Sequence, residues 1–156
     1  MGLVLKPPIA INQTTTMKSL VAADGSSYTK RMLAYLAVHD EWLVPTYQYT
    51  VVHCTPPLPA RAKGYFDPET LRAYTADLHE KVFKPIRGFY KRHGTDAVFT
   101  GKTGYAAEAI ATLAENGKFD LIVMGSRGHG TLGNLVMGSV VTKVLASCDT
   151  PVLIVR

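Results

Sequence analysis

The stretch that decides the fold is Leu121-Ile122-Val123-Met124-Gly125-Ser126-Arg127-Gly128-His129-Gly130-Thr131-Leu132-Gly133, followed five positions on by Gly138-Ser139. Four apolar residues without alternation read as a short strand covered on both faces. Directly after it come four glycines within nine residues, from Gly125 to Gly133. Glycine costs backbone entropy and gives a core nothing to pack. Its benefit is a backbone that turns sharply and brings N–H groups close to a ligand. From Ser139 a helical pattern runs to Ser147, with Val141, Val144 and Leu145 expected inward. A helix start adds unpaired N–H donors and a partial positive charge. Loop and helix start together make an anion site, and phosphate is its usual occupant.

Four more apolar runs flank this core: Ser19–Ala23, Tyr47–Val52, Ala97–Thr100 and Val152–Val155. Helical patterns separate them. Ser26 or Ser27 can cap a helix carrying Met32, Leu33 and Leu36 at core spacing. Asp67-Pro68-Glu69 is a helix start, with a capping acid and a proline in the first turn. In the long helix after it, Leu78, Val82, Ile86 and Phe89 are expected on the core side. Lys81, Lys84, Arg87 and Lys91 fall on the other, and Pro85 should kink the middle. A further helix spans about Ala106–Asn116, with Gly117 as its C′ residue. The order β-α-β-α-β-α-β-α-β predicts an α/β domain: a doubly wound, five-stranded parallel sheet with helices on both faces. The irregular stretch from His53 to Asp67, rich in proline and basic residues, is a candidate mobile loop over a site.

In open α/β sheets, ligands sit beyond the carboxyl ends of the strands, where the winding reverses. The first strand ends in Asp24-Gly25-Ser26, so if it neighbours the fourth, Asp24 faces the glycine loop. Two generic motifs fail. Gly128-His129-Gly130-Thr131-Leu132-Gly133 is a literal G-x-G-x-x-G, but a dinucleotide fingerprint belongs on the first strand, and here the chain ends soon after. Gly101-Lys102-Thr103 resembles a P-loop ending, but the required first glycine position holds Asp96.

The spacing Gly125-x2-Gly128-x9-Gly138-Ser139 resembles the nucleotide motif of the universal stress protein family. Val21-Ala22-Ala23-Asp24-Gly25-Ser26, Met137-Gly138-Ser139-Val140 and the close at Pro151–Val155 resemble it too. The similarity covers about residues 17–156. It implies a strand order of 3-2-1-4-5, ATP as ligand and a homodimer through the last strand; a Mg²⁺ or Mn²⁺ ion held through the phosphates is compatible with that ligand. Carried over, Gly125, Gly128, Gly138 and Ser139, with Val140 beside them, would hold ribose and phosphates. Asp24, with Ala22 nearby, would lie at the adenine–ribose end, and Val52 would offer main-chain hydrogen bonds to adenine. The third strand departs from the pattern, with Gly104-Tyr105-Ala106 where a proline is expected.

Plainer roles compete at several positions. Ser139 and Asp24 can serve as helix-capping or turn residues. Arg127, whose charge is fixed, is a better phosphate contact than His129, though both can be exposed loop side chains. His39, His53, His79 and His93 show no metal-ligand spacing and read as solvent-facing or packing residues.

Composition narrows the class. The 156 residues suit one domain, from residue 17 onward, after a polar, poorly ordered extension over 1–16; Met17 is a possible second start. At 47% hydrophobic and 19% charged, the chain is too apolar for disorder. A formal charge of +5 is a mild anionic-partner bias rather than a nucleic-acid footprint, and the basic helix face reads as solvated. No apolar run reaches a membrane span or a signal-peptide core. Cys54 and Cys148 form no C-x-x-C pair, which points to the cytoplasm. The expected function is nucleotide-dependent regulation or stress response. The alternatives are a slow ATPase or adenylyl-transfer enzyme, and a dimeric interaction module without nucleotide.

Overall fold

A computed structural model describes residues 16–130 and 136–156. The expected extension over 1–16 and the loop residues Thr131, Leu132 and Gly133 fall almost entirely outside them. The elements are β1 (Lys18–Ala22), α1 (Ser27–Val38), a short 3-10 turn, β2 (Gln48–Thr55), α2 (Ala60–Lys63), α3 (Pro68–Arg92), β3 (Ala97–Thr103), α4 (Ala106–Asn116), β4 (Leu121–Gly125), α5 (Ser139–Ser147) and β5 (Val152–Val155). The five strands form one sheet in the order β3-β2-β1-β4-β5, every pair parallel.

The continuous apolar runs divide themselves between two cores. Val21, Val51 and Val123 face Met32 and Leu36 of α1 and Phe83, Ile86 and Phe89 of α3. Their neighbours Leu20, Val52 and Ile122 face Ile110 and Ala114 of α4 and Val141 and Val144 of α5. Successive strand residues point to opposite faces, so a run buried on both faces needs apolar side chains at every position. Each such side chain contributes about 1.5–3 kcal/mol when fully buried.

Several local expectations shift. β2 continues past Val52 to Thr55 because β3 runs beside it, pairing Cys54 with Lys102 and Thr55 with Thr103. The irregular stretch therefore begins at Pro56, and it holds the four-residue α2. On α3 the buried residues are Phe83, Ile86, Phe89 and Tyr90, whereas Leu78 and Val82 are half-buried. The helix runs unbroken through Pro85, whose ring sits on the exposed side. Leu145 of α5 is exposed rather than inward, one position past Val144 on a short helix with a narrow core stripe. Gly117 ends α4 in right-handed geometry, and the left-handed residue is Lys118 with φ 50°. Among the described residues no helix is long and apolar enough to cross a membrane.

The winding reverses between β1 and β4. From β1 the chain builds outward to β2 and β3, and from β4 outward to β5. The β1–α1 turn and the β4–α5 loop therefore diverge from adjacent strand ends and leave a crevice between them.

Candidate functional site

The β1–α1 turn is closed by its own side chains. Asp24 Oδ1 accepts from the Ser26 amide at 2.9 Å and from the Thr29 hydroxyl at 2.9 Å. Thr29 Oγ1 accepts in turn from the amides of Asp24 (3.1 Å) and Gly25 (3.2 Å). Gly25 takes φ 77°, a left-handed conformation that suits glycine. Ser26 is the N-cap of α1, its Oγ accepting from the amides of Tyr28 and Thr29. The turn thus fixes Asp24 without consuming Oδ2, which has no hydrogen-bond partner among the described residues. Burial pushes the Asp24 carboxyl up; the hydrogen bonds from Ser26 and Thr29, with nearby His129, outweigh it and hold the group below the ordinary aspartate value.

Across the crevice, the glycines of the β4–α5 loop serve close approach rather than unusual dihedrals. Gly125, Gly128 and Gly138 all lie outside the positive-φ region. A Cβ on Gly128 would stand 2.6 Å from Asp24 Oδ2, and one on Gly125 would stand 2.8 Å from Tyr28 Cβ. At Gly138 a Cβ would meet Arg127 Cα and the Ser126 carbonyl, each at 3.3 Å. The expectation of sharp glycine turns gives way to one of tight packing between two loops.

The loop's amides divide into used and unused. Ser126 N donates to Val155 O and Gly138 N to Ser126 O, each at 2.7 Å. The amides of Ser139, Val140 and Val141 find no acceptor among the described residues, nor do those of Arg127 and Gly128. Gly138 is the N-cap of α5 and has no side chain to cap with, while Ser139 lies inside the first turn. Ser139 is therefore not the capping residue, and no described residue takes the first donors of α5.

These parts enclose a cavity of about 310 Å³. Its lining includes every residue expected from sequence: Ala22, Asp24 and Val52 on one side, Gly125, Arg127 and Gly128 on the loop, and Gly138, Ser139 and Val140 at the α5 start. It also includes His129, which the sequence ranked below Arg127 as a phosphate contact, and several residues it did not single out. His129 reaches back so that Nε2 lies 2.8 Å from the Asp24 carbonyl oxygen, tying the two loops together. Ala106 and Ile110 of α4 and Met137 give the cavity an apolar side.

Cys54 is the most informative of the missed residues. Even-numbered residues of β2 bond toward β1, as Gln48 N does to Met17 O and Val52 O does from Ala23 N. Odd-numbered ones bond toward β3, as Thr55 O does from Gly104 N. β1 ends at Ala22, so the Cys54 amide and carbonyl face the cavity with no main-chain partner among the described residues. Val52, the expected main-chain contact, already gives its carbonyl to the Ala23 amide at 3.0 Å. Burial pushes the Cys54 thiol up, with Lys102 opposing, so it stays protonated. The sequence Val52-His53-Cys54-Thr55 before Pro56 hints only that β2 runs on until proline removes a donor.

Residues 16–156 match the universal stress protein family model. The chain belongs to the universal stress protein family. A Thermus aquaticus relative, the universal stress protein in the QAH/OAS sulfhydrylase 3' region, is 36% identical over 137 residues, covering 88% of this chain and 96% of its own. Among solved structures, protein MJ0577 of Methanocaldococcus jannaschii superposes with a TM-score of 0.76 at 24% identity, covering 89% of this chain and 94% of its own. An Arabidopsis thaliana universal stress protein family member solved with AMP bound has a TM-score of 0.63 at 16% identity, covering 89% and 90%. Two further universal stress proteins of this fold were solved with dAMP and with cAMP, at TM-scores of 0.64 and 0.57.

Proposed function

We propose that this universal stress protein binds an adenine nucleotide, ATP in the cell, and acts as a nucleotide-dependent regulator in a stress response. The observation that carries the reading is the donor array at the α5 start, facing an acceptor-only carboxylate across a cavity too tight for any side chain at position 128. Unpaired amides and a helix N-terminus suit phosphate. Asp24 Oδ2 suits the donor hydroxyls of a ribose. The main chain of Cys54, without a main-chain partner among the described residues and with Val52 beside it, suits the hydrogen-bonding edge of a base. The fold-mates holding AMP, dAMP and cAMP support the same ligand class. Among the described residues no three or more His, Cys, Asp or Glu side chains cluster to hold a metal, so a Mg²⁺ or Mn²⁺ ion would arrive with the phosphates.

The test is nucleotide binding by the full chain. ATP or AMP at about 100 times its Kd should stabilise the fold by about 2.7 kcal/mol, a Tm rise of about 5–10 °C. Gly128→Val should weaken binding ~10- to 100-fold by forcing Asp24 aside, with an unchanged far-UV spectrum. No thermal shift with millimolar ATP or AMP would sink the proposal.

The same reading places the protein in the cytoplasm as a homodimer. Both cysteines are free thiols, as a reducing compartment keeps them. β5 is a sheet edge whose Val152, Leu153 and Ile154 are only half-buried, and such an edge invites pairing with a second copy. Equilibrium sedimentation at micromolar concentration should give twice the chain mass, and a clean monomer would refute the dimer.

A further inference from the structure

His53 and His79 come from different elements yet meet nitrogen to nitrogen. His53, on β2, is buried and lines the cavity; His79 projects from α3. Their Nδ1 atoms stand 2.9 Å apart with the rings nearly perpendicular, at 84°. The contact is seated from both sides. Phe83 stacks on His79 at 13° and meets His53 edge-on, and a Cβ on Gly101 would clash with the His79 ring at Cδ2. The roles expected from sequence, solvent-facing or packing, leave out this contact.

We propose that His53 and His79 form a proton-sharing pair that couples occupancy of the adjacent cavity by an anionic nucleotide to uptake of a proton. The proposal rests on the nucleotide reading of that cavity. Two neutral imidazoles hold one proton between the Nδ1 atoms and a second on the outer nitrogen of the accepting ring. One further proton fits on the outer nitrogen of the donating ring and turns the bridge into a charge-assisted hydrogen bond. A second further proton would set two N–H groups against each other, so the pair resists a second charge more than a first.

The surroundings set the direction. Burial, then repulsion from His79 and more weakly from His129, pull the His53 imidazole below its ordinary value, against Asp24. Burial does the same for His79. Asp24 from the β1–α1 turn and His129 from the β4–α5 loop are thus the titratable groups that act on His53. β3 presents the uncharged backbone of Gly101, and Lys81 and Asp77 of α3 pair with each other at 2.7 Å. With the cavity empty, burial disfavours the charged form of both rings. A phosphate-bearing ligand in the cavity favours the charged form and raises the pair's pKa. By linkage, such a ligand binds more tightly below that pKa than above it.

The experiment follows the histidine ring signals of the full chain by NMR from about pH 5 to 8, without and with saturating AMP. In the free protein both imidazoles should titrate below the ordinary histidine value, in two separated steps. AMP should raise the first step by about half a pH unit or more. That corresponds to roughly threefold tighter AMP binding on the acidic side, measured relative to the double variant His53→Asn/His79→Asn at the same pH so that the titration of AMP itself cancels. His79→Asn keeps an amide at the Nδ1 position and should leave a single titration, at His53, with a smaller pH-linked gain than the intact pair gives. Independent titrations at the ordinary value would overturn the pair. Loop amides of residues 125–130 that respond to AMP while the imidazole titrations stay put would overturn the coupling alone. Loop amides that ignore AMP would overturn the nucleotide reading, and the coupling with it, whatever the two imidazoles do in the free protein.

Discussion

Two helices begin at the same cavity, and the protein finishes one and leaves the other open. At α1 the turn supplies its own acceptors: Ser26 Oγ takes the amides of Tyr28 and Thr29, Asp24 takes the Ser26 amide, and Thr29 takes the amides of Asp24 and Gly25. At α5 the cap position holds Gly138, and the amides of Ser139, Val140 and Val141 have no acceptor among the described residues. An absent cap is not itself a ligand signature, since α4 also starts without one, at Tyr105. What separates α5 is the pair of glycine contacts that press its loop against Asp24 and against its own backbone. One loop is a self-satisfied support, and the other leaves its hydrogen bonds to a visitor.

If that contrast is right, damage to the two starts must read out differently. The largest stability effect belongs to Asp24→Ala. It strands the Ser26 amide and the Thr29 hydroxyl, at a cost of about 2–3 kcal/mol, measurable as a lower urea midpoint. It should also weaken nucleotide binding, by removing Oδ2 and loosening the turn. The pH dependence has a defined sign. Asp24 has a lowered folded-state pKa, so its contribution is complete above the unfolded value of about 4 and is lost as pH falls through the lower folded value. Asp24→Asn should therefore flatten the acid limb of the stability profile below about pH 4, and an unchanged limb would contradict the assignment.

Ser26→Ala comes next. It removes the Oγ that accepts from Tyr28 and Thr29, and should cost about 1 kcal/mol with little change in nucleotide affinity. A large loss of affinity with stability intact would show that α1, too, serves the ligand directly.

The sequence made this division only half legible. Alternating elements and doubly apolar strands announced the parallel sheet, because a run such as Leu121–Met124 has no solvent face to pattern against. The glycine spacing pointed to the loop, and Asp24 was found from its place after β1. What stayed hidden depended on a neighbour's length. Cys54 faces the cavity only because β1 stops at Ala22 while β2 runs on to Thr55, and no residue within β2 encodes where β1 ends. The His53–His79 contact is likewise a property of two elements brought together, 26 residues apart in sequence. Leu145 misled for the opposite reason: its type suggested burial, but α5 turns only a narrow stripe inward.

The smallest expected stability effect is the most discriminating. Ser139 sits where a sequence reader places a cap, yet Gly138 holds that position and the Ser139 side chain is exposed. A true cap lost to alanine costs about 1 kcal/mol, whereas an exposed first-turn serine should change stability by no more than about 0.5 kcal/mol. If the hydroxyl instead joins the neighbouring amides in holding phosphate, Ser139→Ala should lower ATP affinity by about 10- to 100-fold, the loss of one hydrogen bond to a charged group. Urea denaturation and ATP titration of the same preparation separate the cases. Affinity lost with stability kept identifies an open helix start meant for a ligand, whereas stability lost with affinity kept would make α5 a capped helix like α1 and remove the contrast between them.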